Sequence, residues 1–373
     1  MLGALGAVYS YFLYPAVLLL LKDLPSLRPR GGGSDWTPKL TLIVAAHNEL
    51  SRIRQKLEES IALREVYADL EILVASDASS DGTDDIVQSF GEQGVDLVRT
   101  TERNGKEFAQ REAIKRARGD IIIFTDTGTT IVPSSISRLV EIFADATIGS
   151  VSSTDRIVNP DGSVTGEGLY IRYEMWLRDL ESRKRSLIGL SGSFFAATHE
   201  VCRLWDTDIP SDLAVAINSN ILGLRAISDP DVIGVYRDAR DPRHEFRRKI
   251  RTVIRGMTAL AKKREVLNPF RFGWLSFQLW SHKILRWAVP WFGLCYLLGG
   301  ALALRLSLVN IVWLVHVAVL VGFAAVGAVS PALRSKSVVG AAYFYLQVNF
   351  AALFAAVQFL AGKRVTTWAP TMR

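Results

Sequence analysis

Three aspartates and one lysine have the chemistry to bind phosphate, a cation or a reacting hydroxyl. Asp77 and Asp126 each follow a short apolar run, and Lys106 opens a predicted helix. Carboxylate oxygen is the ligand that hard divalent cations prefer, and an ammonium group at a helix N-terminus attracts anions. Asp212 precedes the apolar stretch 213–224, and a carboxylate of this kind can accept a proton. These residue types could together bind an anion such as a diphosphate and a divalent cation.

Each of these residues also has an interpretation without chemistry. Asp77 could form a turn or cap a helix, and Lys106 could be a solvated surface lysine. Asp126 could be a structural carboxylate at a strand end, and Asp212 could be a helix N-cap. For Asp81, in the same turn as Asp77, the structural interpretation is preferred.

The apolar runs before these residues alternate with amphipathic stretches. Strands are predicted at 40–46, 70–75, 95–99 and 120–125, with helices between them at about 50–64, 83–90 and 106–117. This alternation predicts an α/β fold with a parallel-rich sheet and helices on both faces. Ligands bind beyond the carboxyl ends of such strands, where Asn48, Glu49, Asp77 and Asp126 all fall.

The apolar residues are distributed unevenly, and the mean hydropathy of +0.19 is high for a soluble protein. Residues 1–21 carry no charge, and the stretches 284–304, 306–329 and 338–360 each approach the ~20 residues that cross a bilayer. We predict an N-terminal anchor and three C-terminal transmembrane segments. A cleaved signal peptide is the alternative for the first segment, which lacks a basic start and a clear cleavage site.

A net charge of +7 would suit a protein that binds nucleic acid. The basic residues flank the apolar segments or lie in the run Arg243–Arg255, without the aromatic residues typical of single-strand binders. Anionic lipid and phosphate are therefore the predicted partners, and nucleic acid is not. The flanking charges predict that the middle domain is cytoplasmic, at the inner or plasma membrane. The two cysteines form no readable disulfide or metal framework.

Seven motifs, in this order and spacing, resemble the family-2 glycosyltransferases, inverting enzymes with the GT-A fold. They are LIVAAHNE (42–49), SDASSDGT (76–83), NGK (104–106), GDIIIFTDTGT (119–129), GLSGSFFA (189–196), PSD (210–212) and EFRRKIR (245–251). The resemblance implies a membrane-bound hexosyltransferase of exopolysaccharide or lipid-linked saccharide synthesis. Such an enzyme transfers a sugar, with inversion, from a nucleoside-diphosphate sugar to a hydroxyl of a lipid-linked or polysaccharide acceptor.

The resemblance also implies roles for particular residues. Asp77 would contact the base, commonly uracil, which favours a UDP-type donor. The residues implied in donor binding are Ala45, His47, Asn48, Glu49, Asp77, Lys106, Asp126, Arg247, Arg248 and Arg251. The residues implied in acceptor binding are Ser191, Gly192 and Ser193. Asp212 is the implied catalytic base, with Asp208 as the second candidate. The arginines share a predicted helix with Arg255, and lipid head groups are the alternative partner of that run.

Two departures from the family pattern bear on the function. Most relatives show Asp-x-Asp where this chain has Asp126-Thr127-Gly128, so Asp126 is the single predicted ligand for Mg²⁺ or Mn²⁺. Processive polymerases carry Gln-x-x-Arg-Trp near Thr252-Val253, and this chain does not. The alternatives to single transfer are a processive polysaccharide synthase and a catalytically silent scaffold that binds nucleotide or lipid.

These patterns divide the chain into segments. We predict an anchor at 1–21, a linker at 22–39 and a cytoplasmic GT-A domain at 40–265. An interfacial helix at 266–283 precedes the three transmembrane segments within 284–362, and a tail occupies 363–373. The helical pattern at 164–185 suits a helix at the membrane face or an ordinary surface helix. The side of the tail stays open, as does assembly into a homo-oligomer.

Overall fold

A computed structural model describes residues 5–6, 8–25, 36–158, 169–237, 242–303, 308–330, 333 and 337–365. The chain divides into two units. A helical unit contains the described residues of Met1–Lys22, Gly166–Leu180 and Arg240–Arg364. A sheet unit contains those of Asp23–Thr165, Glu181–Ala239 and Val365–Arg373.

The strands of the described chain form one sheet. They are β1 (Leu40–Ala46), β2 (Leu70–Ser76), β3 (Val95–Arg99), β4 (Ile121–Asp126), β5 (Thr129–Ile131), β6 (Ile148–Val158), β7 (Phe194–Thr198) and β8 (Arg225–Arg237). Their spatial order is β3-β2-β1-β4-β7-β6-β8-β5. Strands β1 to β4 run parallel, as do β6 and β8. Strand β7 is antiparallel to both β4 and β6, and β5 is antiparallel to β8.

The helices alternate with the strands and then dominate the second half of the chain. They are α1 (Tyr14–Leu20), α2 (Ile53–Ala62), α3 (Thr83–Gln88), α4 (Lys106–Ile114), α5 (Ser134–Phe143), α6 (Leu169–Lys184), α7 (His199–Cys202), α8 (Ser211–Ile221), α9 (Pro242–Lys262), α10 (Pro269–Gln278), α11 (Leu285–Ala303), α12 (Leu308–Val329) and α13 (Ser337–Leu360). Short 3₁₀ helices occupy Leu63–Glu65, Gly91–Gln93 and Arg264–Leu267, and π-helical turns occupy Tyr9–Leu13 and Leu279–Ile284.

The central strands are apolar along their whole length because the sheet is covered on both faces. In β1, Leu42 and Val44 belong to a core that contains residues of α2, α3 and α5. Ile43, between them, belongs to a second core with residues of α4 and α8. Alternate residues of a strand point to opposite faces, so a continuous apolar run is the pattern expected of a strand buried on both sides.

The predicted strands at 40–46 and 95–99 have the observed bounds, and the other two shift by one residue. The parallel arrangement is confirmed for β1 to β4. Antiparallel pairs then enter through β5 and β7, so the sheet is mixed. Strand direction depends on long-range pairing, which the local pattern of residues does not contain. The predicted helix at 164–185 is observed from Leu169, and residues 159–168 lie outside the described chain.

In the helical unit, an ion pair joins the helix α6 to α11. Arg286 Nη1 lies 2.6 Å from Glu174 Oε1, and the guanidinium also stacks 4.7 Å from the ring centre of Tyr11. Burial by itself would raise the pKa of Glu174, but Arg286 and then His282 outweigh it and lower the pKa to about 2. Glu174 is therefore charged at neutral pH and joins α6 to Arg286 of α11, while Arg286 in turn contacts Tyr11 of the N-terminal segment.

One helix of the described residues, Val338–Leu360, is long and apolar enough to cross a membrane by length and composition. The segments Tyr9–Leu20 and Leu314–Val329 are apolar but shorter. Of the predicted spans, the last is thus supported on this criterion and the others stay predictions. Residues 1–4, 7 and 304–307, which belong to or border the other predicted spans, lie outside the described chain.

Gly119 lies just before β4, where the chain packs closely against β1, and a larger residue at this position tests that packing. A Cβ at this position would lie 2.6 Å from the Thr41 backbone nitrogen and 2.7 Å from the Ile121 carbonyl oxygen. We expect Gly119→Ala to lower the free energy of unfolding by about 1–3 kcal/mol because neither strand can retreat. The measurement is the thermal unfolding midpoint in detergent. Gly91→Ala is the control, because no atom lies within 4 Å of a Cβ built at that position. Equal unfolding midpoints of Gly119→Ala and Gly91→Ala would contradict the close packing at Gly119.

Candidate active site

The carboxyl ends of β1, β2 and β4 lie side by side in the sheet unit. Ala45 is in register with Asp126 of β4, and Ala46 is in register with Ser76 of β2. Because β7 runs antiparallel to β4, its start meets the same edge, and the Asp126 N–H donates to the Ser193 carbonyl at 3.1 Å. Residues predicted for the donor and for the acceptor thus meet at one edge of the sheet.

Lys106 contacts two of the other predicted residues. Its Nζ lies 2.5 Å from Asp126 Oδ1 and donates to the Gly192 carbonyl at 3.0 Å. The lysine is the first residue of α4, and its side chain is only 10% exposed. The interpretation of Lys106 as a solvated surface lysine is therefore wrong. The predicted metal ligand Asp126 has this ammonium group as its counter-ion.

Asp212 lies beside the same loop. Its Oδ1 accepts from the Leu213 N–H at 2.9 Å, a local hydrogen bond at the start of α8. On the other side, a Cβ built on Gly192 would lie 3.4 Å from Asp212 Oδ2. The N-cap residue of α8 is Pro210, and Asp212 lies inside the first turn, so the N-cap interpretation of Asp212 is wrong. Its Oδ2 faces Gly192, a residue predicted for the acceptor. Asp208, the second candidate for the base, is exposed.

Asp77 is buried and serves the loop before α4. Its Oδ1 accepts from the Asn104 N–H at 2.8 Å and the Gly105 N–H at 3.0 Å, and Oδ2 also accepts from Gly105 at 3.0 Å. Gly105 has a φ of +99°, so this turn favours glycine. The carboxylate thereby fixes the residue next to Lys106. The predicted contact of Asp77 with a base stays a prediction.

The segment after β1 is held by a network with the segment after β2. His47 Nδ1 lies 2.7 Å from the Asp77 carbonyl oxygen. Asn48, with a φ of +53°, accepts from the Ser80 N–H at 2.9 Å through its Oδ1. Left-handed backbone at a residue other than glycine is uncommon and is found often at functional sites. The network orders this edge of the sheet.

Asp81 has a structural role, as its position in this turn predicts. Its Oδ1 accepts from the Thr83 N–H at 3.0 Å, and its Oδ2 accepts from the Leu50 N–H at 3.0 Å. The carboxylate thus stabilises the turn before α3 and ties that turn to the segment after β1.

Glu49 brings a second carboxyl group towards the turn at Asp126. Burial raises the pKa of Glu49, a hydrogen bond with the Thr127 side chain and the charge of Arg52 oppose that rise, and the charge of Asp126 adds to it. The Glu49 N–H donates to Thr83 Oγ1 at 2.9 Å. The side chain therefore supports the Asp126-Thr127-Gly128 turn.

A cluster around Asp155 of β6 escaped the sequence prediction. Asp155 Oδ1 accepts from the hydroxyls of Ser153 at 2.8 Å, Ser191 at 2.8 Å and Ser193 at 3.1 Å. The two loop serines predicted for the acceptor thus bind Asp155, which fixes the loop that presents Gly192. Asp155 lies within a strand and precedes no turn or helix, so no local signal marks it.

The acidic groups of the site determine whether it can hold a metal ion. Among the residues described here, no group of three or more His, Cys, Asp or Glu side chains is arranged to hold a metal ion. Mg²⁺ sites in transferases commonly use one or two carboxylates and complete their coordination with substrate phosphates. Asp126 fits a site of that kind, in which the donor supplies most of the ligands.

The predicted arginines belong to the helical unit. Arg247, Arg248 and Arg251 lie on α9, where burial and then the charges of Arg255 and Arg248 lower the pKa of Arg251. Their predicted role toward the donor stays a prediction.

Residues 41–202 match the family described as Glycosyl transferase family 2. The chain contains a glycosyltransferase family 2 domain. The matched range includes Glu49, Asp77, Lys106, Asp126 and the loop at Gly192. Asp212 and the arginines of α9 lie outside it.

Curated relatives are similar over part of their length. A probable glycosyltransferase, YdaM, of Bacillus subtilis is 34% identical over 33% of this chain and 30% of its own. An N-acetylglucosaminyltransferase of Rhizobium sp. is 30% identical over 48% and 38%. A poly-beta-1,6-N-acetyl-D-glucosamine synthase of Staphylococcus epidermidis is 27% identical over 57% and 51%. The chain thus spans a third to a half of these relatives.

A solved structure is similar over nearly the whole chain. The mannosyltransferase PcManGT from Pyrobaculum calidifontis, in complex with GDP-Man and Mn²⁺, superposes with a TM-score of 0.72 at 24% identity. The likeness covers 97% of this chain and 98% of that protein. It shows that the family 2 domain here has the GT-A-like α/β fold.

Gly128 allows the missing carboxylate of the family 2 domain to be restored. No atom lies within 4 Å of a Cβ built there, and its φ is outside the left-handed region. We expect Gly128→Asp to fold normally and to bind Mn²⁺ about tenfold more tightly in the presence of nucleoside diphosphate, because a second carboxylate joins Asp126. Mn²⁺ titration by electron paramagnetic resonance measures this. Gly128→Asn is the neutral control, and equal affinity of both variants would contradict the expectation.

Proposed function

We propose that this chain is a membrane-bound glycosyltransferase that moves a sugar, with inversion, from a nucleoside-diphosphate sugar to an acceptor hydroxyl. The observation that carries the proposal is the meeting of Asp126, Lys106, Gly192 and Asp212 at one sheet edge. An ammonium group for the diphosphate and a separate carboxylate for the hydroxyl are the two groups that such a transfer requires.

In the proposed reaction, Asp212 accepts the proton of the acceptor hydroxyl. The hydroxyl oxygen attacks C1 of the sugar from the face opposite the diphosphate, and the bond from C1 to the diphosphate oxygen breaks as the new bond forms. The nucleoside diphosphate leaves with the bonding electrons, and a single displacement inverts the configuration at C1. Lys106, which pairs with Asp126 in the free protein, is placed to stabilise the charge that develops on the leaving group.

A divalent cation fits this scheme. Mg²⁺ or Mn²⁺, held by Asp126 and the donor phosphates, would neutralise the departing diphosphate. The similar mannosyltransferase was solved with Mn²⁺, which supports testing this ion first.

The names of the relatives guide the choice of donor and acceptor. An N-acetylglucosaminyltransferase and a poly-beta-1,6-N-acetyl-D-glucosamine synthase favour UDP-N-acetylglucosamine and a saccharide acceptor, lipid-linked or growing. GDP-Man, the ligand of the similar mannosyltransferase, is the second donor to test. The synthase among the relatives also favours processive transfer as a second candidate function.

The helical unit supports a place in the membrane. Large apolar side chains are exposed on its last helices, among them Leu298 of α11 (64%), Val312 of α12 (62%) and Leu360 of α13 (78%). Phe270, at the start of α10, is 100% exposed, as suits a helix at the membrane surface. We retain the multi-pass topology, the cytoplasmic catalytic domain at 40–265 and the other predicted segments as part of this proposal.

The proposal is tested by offering purified full-length protein a panel of nucleoside-diphosphate sugars in nanodiscs, with Mn²⁺, and measuring the release of nucleoside diphosphate. Release from UDP-N-acetylglucosamine or GDP-Man, increased by a saccharide acceptor, is the expected result. Binding of the nucleotide without release from any donor would support the silent scaffold instead.

Asp212→Asn tests the general base. We expect turnover to fall by about 10²-fold or more while donor affinity stays unchanged, because the amide keeps the shape but accepts no proton. Donor affinity is measured by calorimetry and turnover by nucleotide release. Asp208→Asn, at an exposed neighbouring aspartate, is the control. If turnover falls in Asp208→Asn and is unchanged in Asp212→Asn, Asp208 is the base.

Arg251→Ala and Arg255→Ala separate a phosphate role from a lipid role for α9. The two positions are one helical turn apart, so a variant at either removes the same charge from one helix. We expect Arg251→Ala to lower turnover in neutral and anionic nanodiscs alike, and Arg255→Ala to matter less. A defect of Arg251→Ala that disappears in neutral lipid, where wild type is equally slow, would assign the run to the bilayer.

A further inference from the structure

Lys56 is a buried charge that the proposed reaction does not use. It lies on the buried face of α2 with Ile53, Leu57 and Ser60, and its exposed fraction is 3%. Lysine is almost never fully buried without partners, because its ammonium group loses its hydration. An apolar residue would fit this helix face by the pattern of its neighbours, so the position of the charge needs an explanation.

The partners of Lys56 enclose the turn that presents Asp126. Its Nζ donates to Thr125 Oγ1 at 3.1 Å and to the Thr129 carbonyl. Thr125 is the residue before Asp126 at the end of β4, and Thr129 is the first residue of β5. One ammonium group therefore holds both ends of the segment Asp126-Thr127-Gly128.

Two acidic groups act on Lys56: Glu59 on its own helix and Asp126 at the end of β4. Burial lowers the pKa of Lys56 to about 8, and both carboxylates oppose that fall. The Lys56 side chain is thus mostly protonated at neutral pH. The Asp126-Thr127-Gly128 turn beside it carries one carboxylate, whereas Asp-x-Asp would carry two.

We propose that Lys56 is a positioning residue of the donor site, whose buried ammonium fixes the Asp126 turn and directs positive potential toward the donor diphosphate. This inference rests on the proposed function, since it names the diphosphate as the group that the charge favours. The Lys106 ammonium group contacts Asp126 directly. The Lys56 ammonium group lies on the buried side of the same turn. The site therefore contains two lysines around a single turn carboxylate.

A purely structural role for Lys56 predicts something different. If the lysine only holds the turn in shape, its removal disturbs the whole strand edge, and the nucleoside and the diphosphate of the donor are affected together. If its charge acts on the diphosphate, the affinity for a nucleoside without phosphates is unchanged. The two ligands thus separate the two roles.

The experiment compares full-length wild type, Lys56→Met and Lys56→Gln in nanodiscs. Calorimetry measures the binding of UDP and GDP and of the matching nucleosides, first in EDTA and then with Mn²⁺. Methionine removes the charge at similar volume, and glutamine removes it but keeps an N–H donor for the Thr129 carbonyl. Lys115→Met makes the same chemical change at a lysine whose side chain is 59% exposed.

We expect both Lys56 variants to bind the diphosphate about tenfold more weakly in EDTA, the order of effect of one unit charge acting through the protein interior. Nucleoside binding should stay within about twofold of wild type, and Lys115→Met should match wild type throughout. Glutamine serves as the second variant if methionine prevents folding.

Four results would overturn the inference. Wild-type diphosphate affinity in Lys56→Met would show that the charge does not act on the donor. An equal loss of nucleoside and diphosphate affinity would assign Lys56 to structure alone, and recovery of affinity in Lys56→Gln would assign the effect to hydrogen bonding. A wild type that binds neither UDP nor GDP would overturn the proposed function, and this inference with it.

Discussion

The antiparallel pairing of β7 with β4 is the constraint on which the candidate site depends. It brings the loop before β7 to the carboxyl end of β4, where the Asp126 N–H donates to Ser193. Without that pairing, Lys106 would have Asp126 within reach but not the Gly192 carbonyl. The carboxyl ends of the parallel strands β1, β2 and β4 carry residues predicted to bind the donor. The antiparallel strand β7 begins beside the residues predicted to bind the acceptor.

Two carboxylates, the buried Asp77 and the half-buried Asp155, hold the loops of this site in place. Asp77 receives the backbone amides before α4, and Asp155 receives the serine hydroxyls around Gly192. Hydrogen bonds to ionised acceptors are stronger than neutral ones, so each aspartate orders several loop residues with one side chain. Asp126, Lys106 and Asp212 are the groups at this sheet edge to which the proposed function assigns chemistry.

Charged groups of both signs surround the Asp126-Thr127-Gly128 turn. Gly128 removes one carboxylate, while Lys106 and Lys56 place ammonium groups on two sides of the same turn. A single carboxylate with cationic neighbours suits a cation that arrives with the donor phosphates, since the free site has no excess of negative charge to hold one. Burial also raises the pKa of the Glu49 carboxyl group, which disfavours a further negative charge beside this turn.

The sequence by itself determined the central strands, the helices between them and the positions of Asp77, Lys106, Asp126 and Asp212 beside strand or helix ends. These features follow from periodicity and from short motifs, which are local. Only the tertiary structure decided the direction of β7, the role of Asp155 and the burial of Lys56. Strand pairing and the partners of a buried polar group join residues that are far apart in the chain, such as Lys56 and Thr125. No local pattern of residue types contains that information.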